Sequence, residues 1–260
     1  MPCKHLPETS ETEGKGLSVA KLDHRLSKVV TAHAIVMAGV SAAHSLRARG
    51  LRRRLLLATL GHAIPVVGEH LAVNFLALLR HRTEPQLKGV PLAVVLGWYN
   101  VAYETLAVME SIMNRADPNK DQRSRTLSPG TALVATSLDL LVDPAGLDLG
   151  LWEWSRDGAY ATEIEGPNGK HGVPVLNFVG WLGLITSVTL AYQHLDPVDE
   201  IARPLRSGVA GSPEAGRTAA FLLLPYYLPA VVWALKRRRP KYLLYSAPFS
   251  VALWTALRSR

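Results

Sequence analysis

Five carboxylates stand in stretches of sequence that are otherwise apolar. Glu69 lies in PVVGEHLAVNF, Glu104 and Glu110 in GWYNVAYETLAVMESIM, and Asp139 and Asp143 in TSLDLLVDP. A charge at the centre of a bilayer costs about 2.5–3.5 kcal/mol on insertion scales. Five acids in three such segments are therefore expected to face a shared interior rather than lipid. The spacing agrees. Asp139 and Asp143 are four apart and share a helix face. Tyr99, Tyr103 and Glu110 share one stripe, with Asn100 and Glu104 on the next. His62 and Glu69 form another such pair, as do Asn177 and Trp181. Apolar surroundings disfavour the charged form of a carboxylic acid, which keeps it a proton donor at neutral pH. Tyr and Trp faces stabilise a cation by about 0.5–2 kcal/mol each. Together these groups can protonate an isolated alkene and shield the tertiary carbocation that results. Each acid also has a structural reading. Glu69 or Glu110 could bond a histidine or a backbone carbonyl, and Asp143, before Pro144, could close a helix.

The elements that must carry these residues are seven apolar segments. They run over 28–46, 55–79, 90–113, 128–151, 173–195, 218–235 and 241–258. Most reach the length of about 20 residues needed to cross a hydrocarbon core of roughly 30 Å. The expected fold is all-α, a polytopic integral membrane helical bundle with six or seven transmembrane helices. A soluble all-α bundle with buried helices is the bland alternative. Of the 260 residues, 48% are hydrophobic and 19% charged, with mean hydropathy +0.11. An average soluble domain carries roughly 25% charged residues. The net charge of +8 gathers at the ends of apolar runs, in RARGLRRR (47–54) and KRRRPK (236–241). Basic caps of this kind face lipid headgroups, so the lipid bilayer is an expected partner and nucleic acid is not. Lys and Arg divide 14 to 15 between the two sides of a seven-span layout, which assigns no orientation. Residues 1–27 are polar and read as a disordered tail, not a signal peptide. Residues 28–260 form the transmembrane domain. The lone cysteine, Cys3, permits neither a disulfide within the chain nor a thiolate metal site. The loops 152–172 and 196–217 are long enough to cover a site.

No H-x-x-x-H, H-E-x-x-H, G-x-S-x-G, Walker A or G-x-G-x-x-G pattern occurs, so no metal site is expected. DLLVD has the D-x-x-x-D spacing of a magnesium-diphosphate motif, but no second acidic motif accompanies it. The stretch TSLDLLVDPAGLDLGLWEWSRDGAY, followed by GVPVLNFVGW, is more specific. It resembles the membrane-integral carotenoid hydratase family, which includes bisanhydrobacterioruberin hydratases and carotenoid 1,2-hydratases. The matching positions include Asp139, Asp143, Pro144, Trp152, Trp154, Gly158, Tyr160, Pro174, Asn177, Phe178 and Trp181. Glu69, Gly89, Pro91 and Trp98 match more loosely. The chain departs from the family pattern at ATEIEGPNGKH (161–171), an insertion expected to form a lid or reshape the pocket mouth.

The resemblance implies an enzyme of carotenoid or terpenoid biosynthesis, a hydro-lyase of carotenoid-hydratase type acting on a lipophilic isoprenoid. Asp139 or Asp143, then Glu104, with Glu69 beside them, are the candidate catalytic acids. Tyr99, Tyr103, Trp152, Trp154, Tyr160, Asn177, Phe178 and Trp181 are the candidate substrate-binding residues. No cofactor is expected. The alternative is an integral membrane terpene cyclase started by the same acid. A diphosphate-ionising version of it would need Mg2+. A third reading is a non-catalytic transporter or scaffold, since intramembrane acids also serve proton-coupled transport. The expected location is integral to a membrane, multi-pass, and the cell membrane if the source is prokaryotic.

Overall fold

The computed structural model describes residues 24–116, 120–196 and 210–258. Most of the expected tail (1–23) and much of the 196–217 loop lie outside the described residues. The described chain forms a helical bundle closed at one end by three short antiparallel ladders.

Helix α1 runs from His24–His70 and breaks at Gly50, whose φ of 77° and ψ of 169° no helix accommodates. Nothing lies within 4 Å of a Cβ at that position, so backbone conformation, not crowding, makes glycine suitable there. The break turns the chain back on itself. Before it, Thr31 reaches the Glu84 carbonyl and Arg49 reaches Glu110. After it, Gly61 packs on Tyr99 and Glu69 reaches Trp98. The expected 47–54 loop is therefore a single-residue corner. A π-helical turn, Leu71–Phe75, follows.

Helix α2 (Leu92–Ala116) is the axis of the bundle. Every residue from Trp98 to Val108 is buried, as expected for a helix packed on all faces. Around it stand both halves of α1, α3 (Lys120–Asp148), α4 (Val175–Leu195), α5 (Pro213–Lys236) and α7 (Ala247–Leu257). The short α6 (Lys241–Tyr245) leads into α7. Strands β1 (Leu79–His81) and β4 (Trp152–Trp154) pair with Leu79 opposite Trp154 and His81 opposite Trp152. This ladder ties the segment after α1 to the segment after α3. Strands β2 (Gln86–Leu87) and β3 (Val90–Pro91) form a hairpin before α2. Strands β5 (Tyr160–Glu165) and β6 (His171–Val173) form a second one before α4.

Four helical runs are long and apolar enough to cross a membrane: His24–Phe75, Leu92–Ala116, Val175–Leu195 and Pro213–Lys236. Six or seven were expected. The first run contains two of the expected segments joined at Gly50. Helix α3 carries four aspartates and two prolines, and α7 has only 11 residues. The outward faces are apolar, with Val36, Leu133, Val179, Phe221, Val232 and Val251 all exposed. Exposed apolar side chains on five helices suit a lipid-facing surface.

The 161–171 insertion is not a lid over the cavity described below. It forms the β5–β6 hairpin, buries Ile164 in a secondary core with Leu141 and Leu147, and is fastened to α6. Glu163 there meets Arg239 at 3.0 Å and Lys241 at 2.7 Å, and accepts a hydrogen bond from Tyr242. Partial burial works against ionising Glu163, but the bonds from Lys241 and Tyr242 win and hold its carboxyl at about 2. The KRRRPK stretch is thus partly engaged within the protein. Arg49 of the other basic cluster is buried and paired with Glu110 rather than presented on the surface.

Candidate active site

The site begins with α3. Pro144 lacks an N–H, so a helix running through it leaves the Leu140 carbonyl without its usual partner. The Tyr160 hydroxyl supplies one at 2.6 Å. Helix α3 therefore continues past Asp143, and Asp139 and Asp143 emerge on the same face. Both are buried.

Asn177 lies in the first turn of α4, which starts immediately after Pro174 and the β6 strand. Its Nδ2 donates to Asp139 Oδ2 at 2.8 Å and to Asp143 Oδ2 at 2.6 Å. One amide thus clamps both acids. Trp152 Nε1 donates to Asp143 Oδ1. The Trp152 ring lies against α3 over Gly146, where any Cβ would come within 2.1 Å of it. Asp143 is therefore held by two N–H donors and Asp139 by one.

Glu69, from the second half of α1, belongs to the same site. Trp98 Nε1 donates to Glu69 Oε1 at 2.9 Å, and His81 Nε2 lies 3.1 Å from Glu69 Oε2. The Trp98 ring stacks on Trp181, with centroids 4.0 Å apart. Between these groups is a cavity of about 240 Å³. Asp139, Asp143, Glu69, His81, Asn177 and four tryptophans, Trp98, Trp152, Trp154 and Trp181, all line it. The remaining lining is largely aliphatic. It includes no Lys or Arg among the described residues. Three lining residues carry buried nitrogens without a partner, His33 Nε2, His81 Nδ1 and Trp154 Nε1. The described residues contain no cluster of three or more His, Cys, Asp or Glu arranged to hold a metal ion.

A family model for carotenoid biosynthesis proteins matches residues 27–210, well over half of the chain. The chain belongs to the carotenoid biosynthesis protein family. No curated protein and no solved structure matches it. Membership supports a biosynthetic role.

In this carotenoid biosynthesis protein the expected site residues divide into two groups. Asp139, Asp143, Glu69, Trp152, Trp154, Asn177 and Trp181 meet at the cavity. Glu104, Tyr99, Tyr103, Tyr160 and Phe178 do not line it. Glu104 is fully buried farther along α2 and accepts a hydrogen bond from Ser41. Tyr99 bonds Ser45 at 2.7 Å and lies under the His62 ring. Tyr103 bonds His44 at 2.7 Å. Phe178 and Tyr160 pack edge to face behind α3, at 5.0 Å between centroids. Glu110 forms an ion pair with Arg49 at 2.6 Å, sealed from solvent on both sides.

Sequence reasoning missed His81 and Tyr226 as lining residues. His81 sits in a polar stretch, RHRTE, that reads as a loop. Only its pairing with Trp152 across the β1–β4 ladder brings it inside. Tyr226 reaches the cavity through a hydrogen bond from Asn100 at 2.7 Å. Nothing in a single sequence signals either contact.

Proposed function

We propose that this protein is an integral membrane enzyme that adds water across a terminal alkene of an acyclic isoprenoid, of carotenoid-hydratase type. The observation that carries the reading is the Asp139–Asn177–Asp143 clamp in the wall of an apolar, tryptophan-lined cavity. In this reading the bundle crosses the bilayer seven times, with the two halves of α1 as separate passes on either side of Gly50.

Asp143, with two N–H donors, is the carboxylate of the pair, because hydrogen bonds to the charged form favour it. Asp139, with one, is the acid. Two carboxyls this close in a dry wall do not both ionise. Asp139 gives its proton to the less substituted alkene carbon, and the alkene π pair forms the new C–H bond. The tertiary cation left on the neighbouring carbon lies among indole faces, each worth about 0.5–2 kcal/mol to a cation. Water attacks that carbon, and the Glu69–His81 pair takes the proton that water releases. The unpartnered Trp154 N–H is suited to hold the attacking oxygen. The product is a tertiary alcohol; the Glu69–His81 pair then releases its proton to solvent and Asp139 takes one back, which restores both groups. The sum is alkene plus water, so the step draws on no cofactor.

The described lining has no Lys or Arg, so a diphosphate at this site would depend on Mg2+ held between it and the acids. The test is expression in a host that makes lycopene, with mass analysis of the extracted pigments. A product heavier by one water is expected. An isomer of unchanged mass would make the protein a cyclase, and a hydrocarbon formed from a prenyl diphosphate with Mg2+ would make it an ionising cyclase. Either result overturns the hydratase reading.

A further inference from the structure

The cavity beside Asp139 is too small for a long substrate. At about 240 Å³ it falls below the roughly 300–1,000 Å³ of pockets that enclose a whole small molecule. It takes the end of a chain, and the rest must lie elsewhere. A second cavity of about 430 Å³ adjoins it. The two share Glu69, Leu79, Trp98, Trp154, Asn177 and Trp181. The stacked Trp98–Trp181 pair therefore stands where they meet, and Glu69 and Asn177 are polar groups of the first site seen from behind.

Apart from those shared residues, the second cavity is walled by glycine, alanine, proline and leucine from the end of α1, the segment after it, and α4. It offers no separate anchor for a polar headgroup. One edge is the close contact of α1 with α4, where a Cβ on Gly68 would come within 2.9 Å of Leu184. At its mouth Leu71, Leu76 and Leu176 are exposed on the apolar outer surface. Gly180 and Gly183 also line it, and nothing lies within 4 Å of a Cβ at either position. These two gaps on α4 keep the cavity open.

We infer that the second cavity binds the unreacting hydrocarbon chain of a long linear isoprenoid, which enters sideways from the bilayer between the second half of α1 and α4. The chain runs along the faces of Trp98 and Trp181 and presents its end to Asp139. This inference rests on the first cavity being the reaction chamber, but its test does not need turnover.

The test uses the full chain carrying Asp139→Asn, purified from a lycopene-making host, with bound polyene counted by absorbance per protein. Gly180→Phe and Gly183→Phe are added together, since both rings would enter open space. Leu71→Trp, at the mouth, is a second variant independent of α4. Val251→Phe, on the lipid-facing side of α7, is the control. Polyene occupancy is expected to fall at least tenfold in the double-Phe chain, to fall in Leu71→Trp, and to be unchanged in Val251→Phe. Unchanged occupancy in both cavity variants overturns the inference, provided they elute as the parent does. So does a parent chain that retains phospholipid and no polyene. Loss of polyene from the double-Phe chain, with no hydrated product from the wild type, would uphold the chamber and remove the proposed reaction.

Discussion

Two sets of buried carboxylates lie in this bundle, and they differ in what meets them. At the ladder end, Asp139, Asp143 and Glu69 are held by neutral N–H groups of Asn177, Trp152 and Trp98, with His81 beside Glu69, and they border open space. Along the far half of α2, Glu104 is closed off by Ser41 and Glu110 by Arg49. Arg49 also lies 5.4 Å from the ring centroids of both Tyr103 and Tyr192. Depth of burial separates the sets only slightly: Glu104 and Glu110 are fully buried, Asp139 and Asp143 nearly so, and Glu69 partly. The larger difference is the cavity, which Asp139, Asp143 and Glu69 line and Glu104 and Glu110 do not. An acid paired with guanidinium in a sealed core is committed to its partner. An acid clamped by an amide at a cavity wall can exchange a proton with whatever enters.

The comparison breaks most directly at Asp139. Asp139→Asn is expected to lower the rate by about 10²- to 10⁴-fold, the usual worth of a general acid, with membrane insertion and thermal stability intact. Glu104→Gln, in the sealed set, should change the rate by less than about threefold. Turnover measured beside thermal unfolding checks both, and equal rate losses would erase the distinction. The sealed set should fail differently. Glu110→Ala strands Arg49 in the core, which typically costs about 3–5 kcal/mol. It should lower the unfolding temperature sharply while the folded fraction keeps its KM.

Smaller changes sharpen the boundary. Gly146→Ala drives a methyl into Trp152 and should cost about 1–3 kcal/mol of stability. It should also depress kcat, because Asp143 loses a donor. Tyr160→Phe leaves the Leu140 carbonyl unpaired, at about 1–3 kcal/mol, and should lower kcat more than it raises KM. Equal loss of both would place Tyr160 on the substrate instead. The smallest effect belongs to Glu163. A carboxyl held at about 2 when folded, against an ordinary 4.5, stabilises the hairpin at neutral pH and loses that effect as pH falls from about 4.5 towards 2. Thermal melts of wild type and Glu163→Gln should differ at pH 6 and converge near pH 2.

The helical segments were legible because apolar runs of this length leave few alternatives. The i, i+4 spacing of Asp139 and Asp143 is enough by itself to put them on one helix face. The fate of Glu104 was not legible, because helical periodicity marks an interior face and says nothing about which neighbour arrives there. Ser41 and Arg49 come from a helix some sixty residues earlier, through a corner set by one glycine. His81 was hidden for the same reason, since its position depends on a ladder between distant segments. Tyr160 had a signal that could have been used. A tyrosine downstream of a helix-interior Asp-Pro is one candidate for the carbonyl that the proline frees, although spacing alone does not select it.

The central claim is that a buried acid hands its proton to an alkene carbon. Turnover of an acyclic polyene in D2O, with mass analysis of the product, tests it most directly. Wild-type product should carry one deuterium on carbon next to the new tertiary centre, and Asp139→Asn should form essentially none. Product formed without carbon-bound deuterium, or undiminished deuterium incorporation by Asp139→Asn, would contradict it.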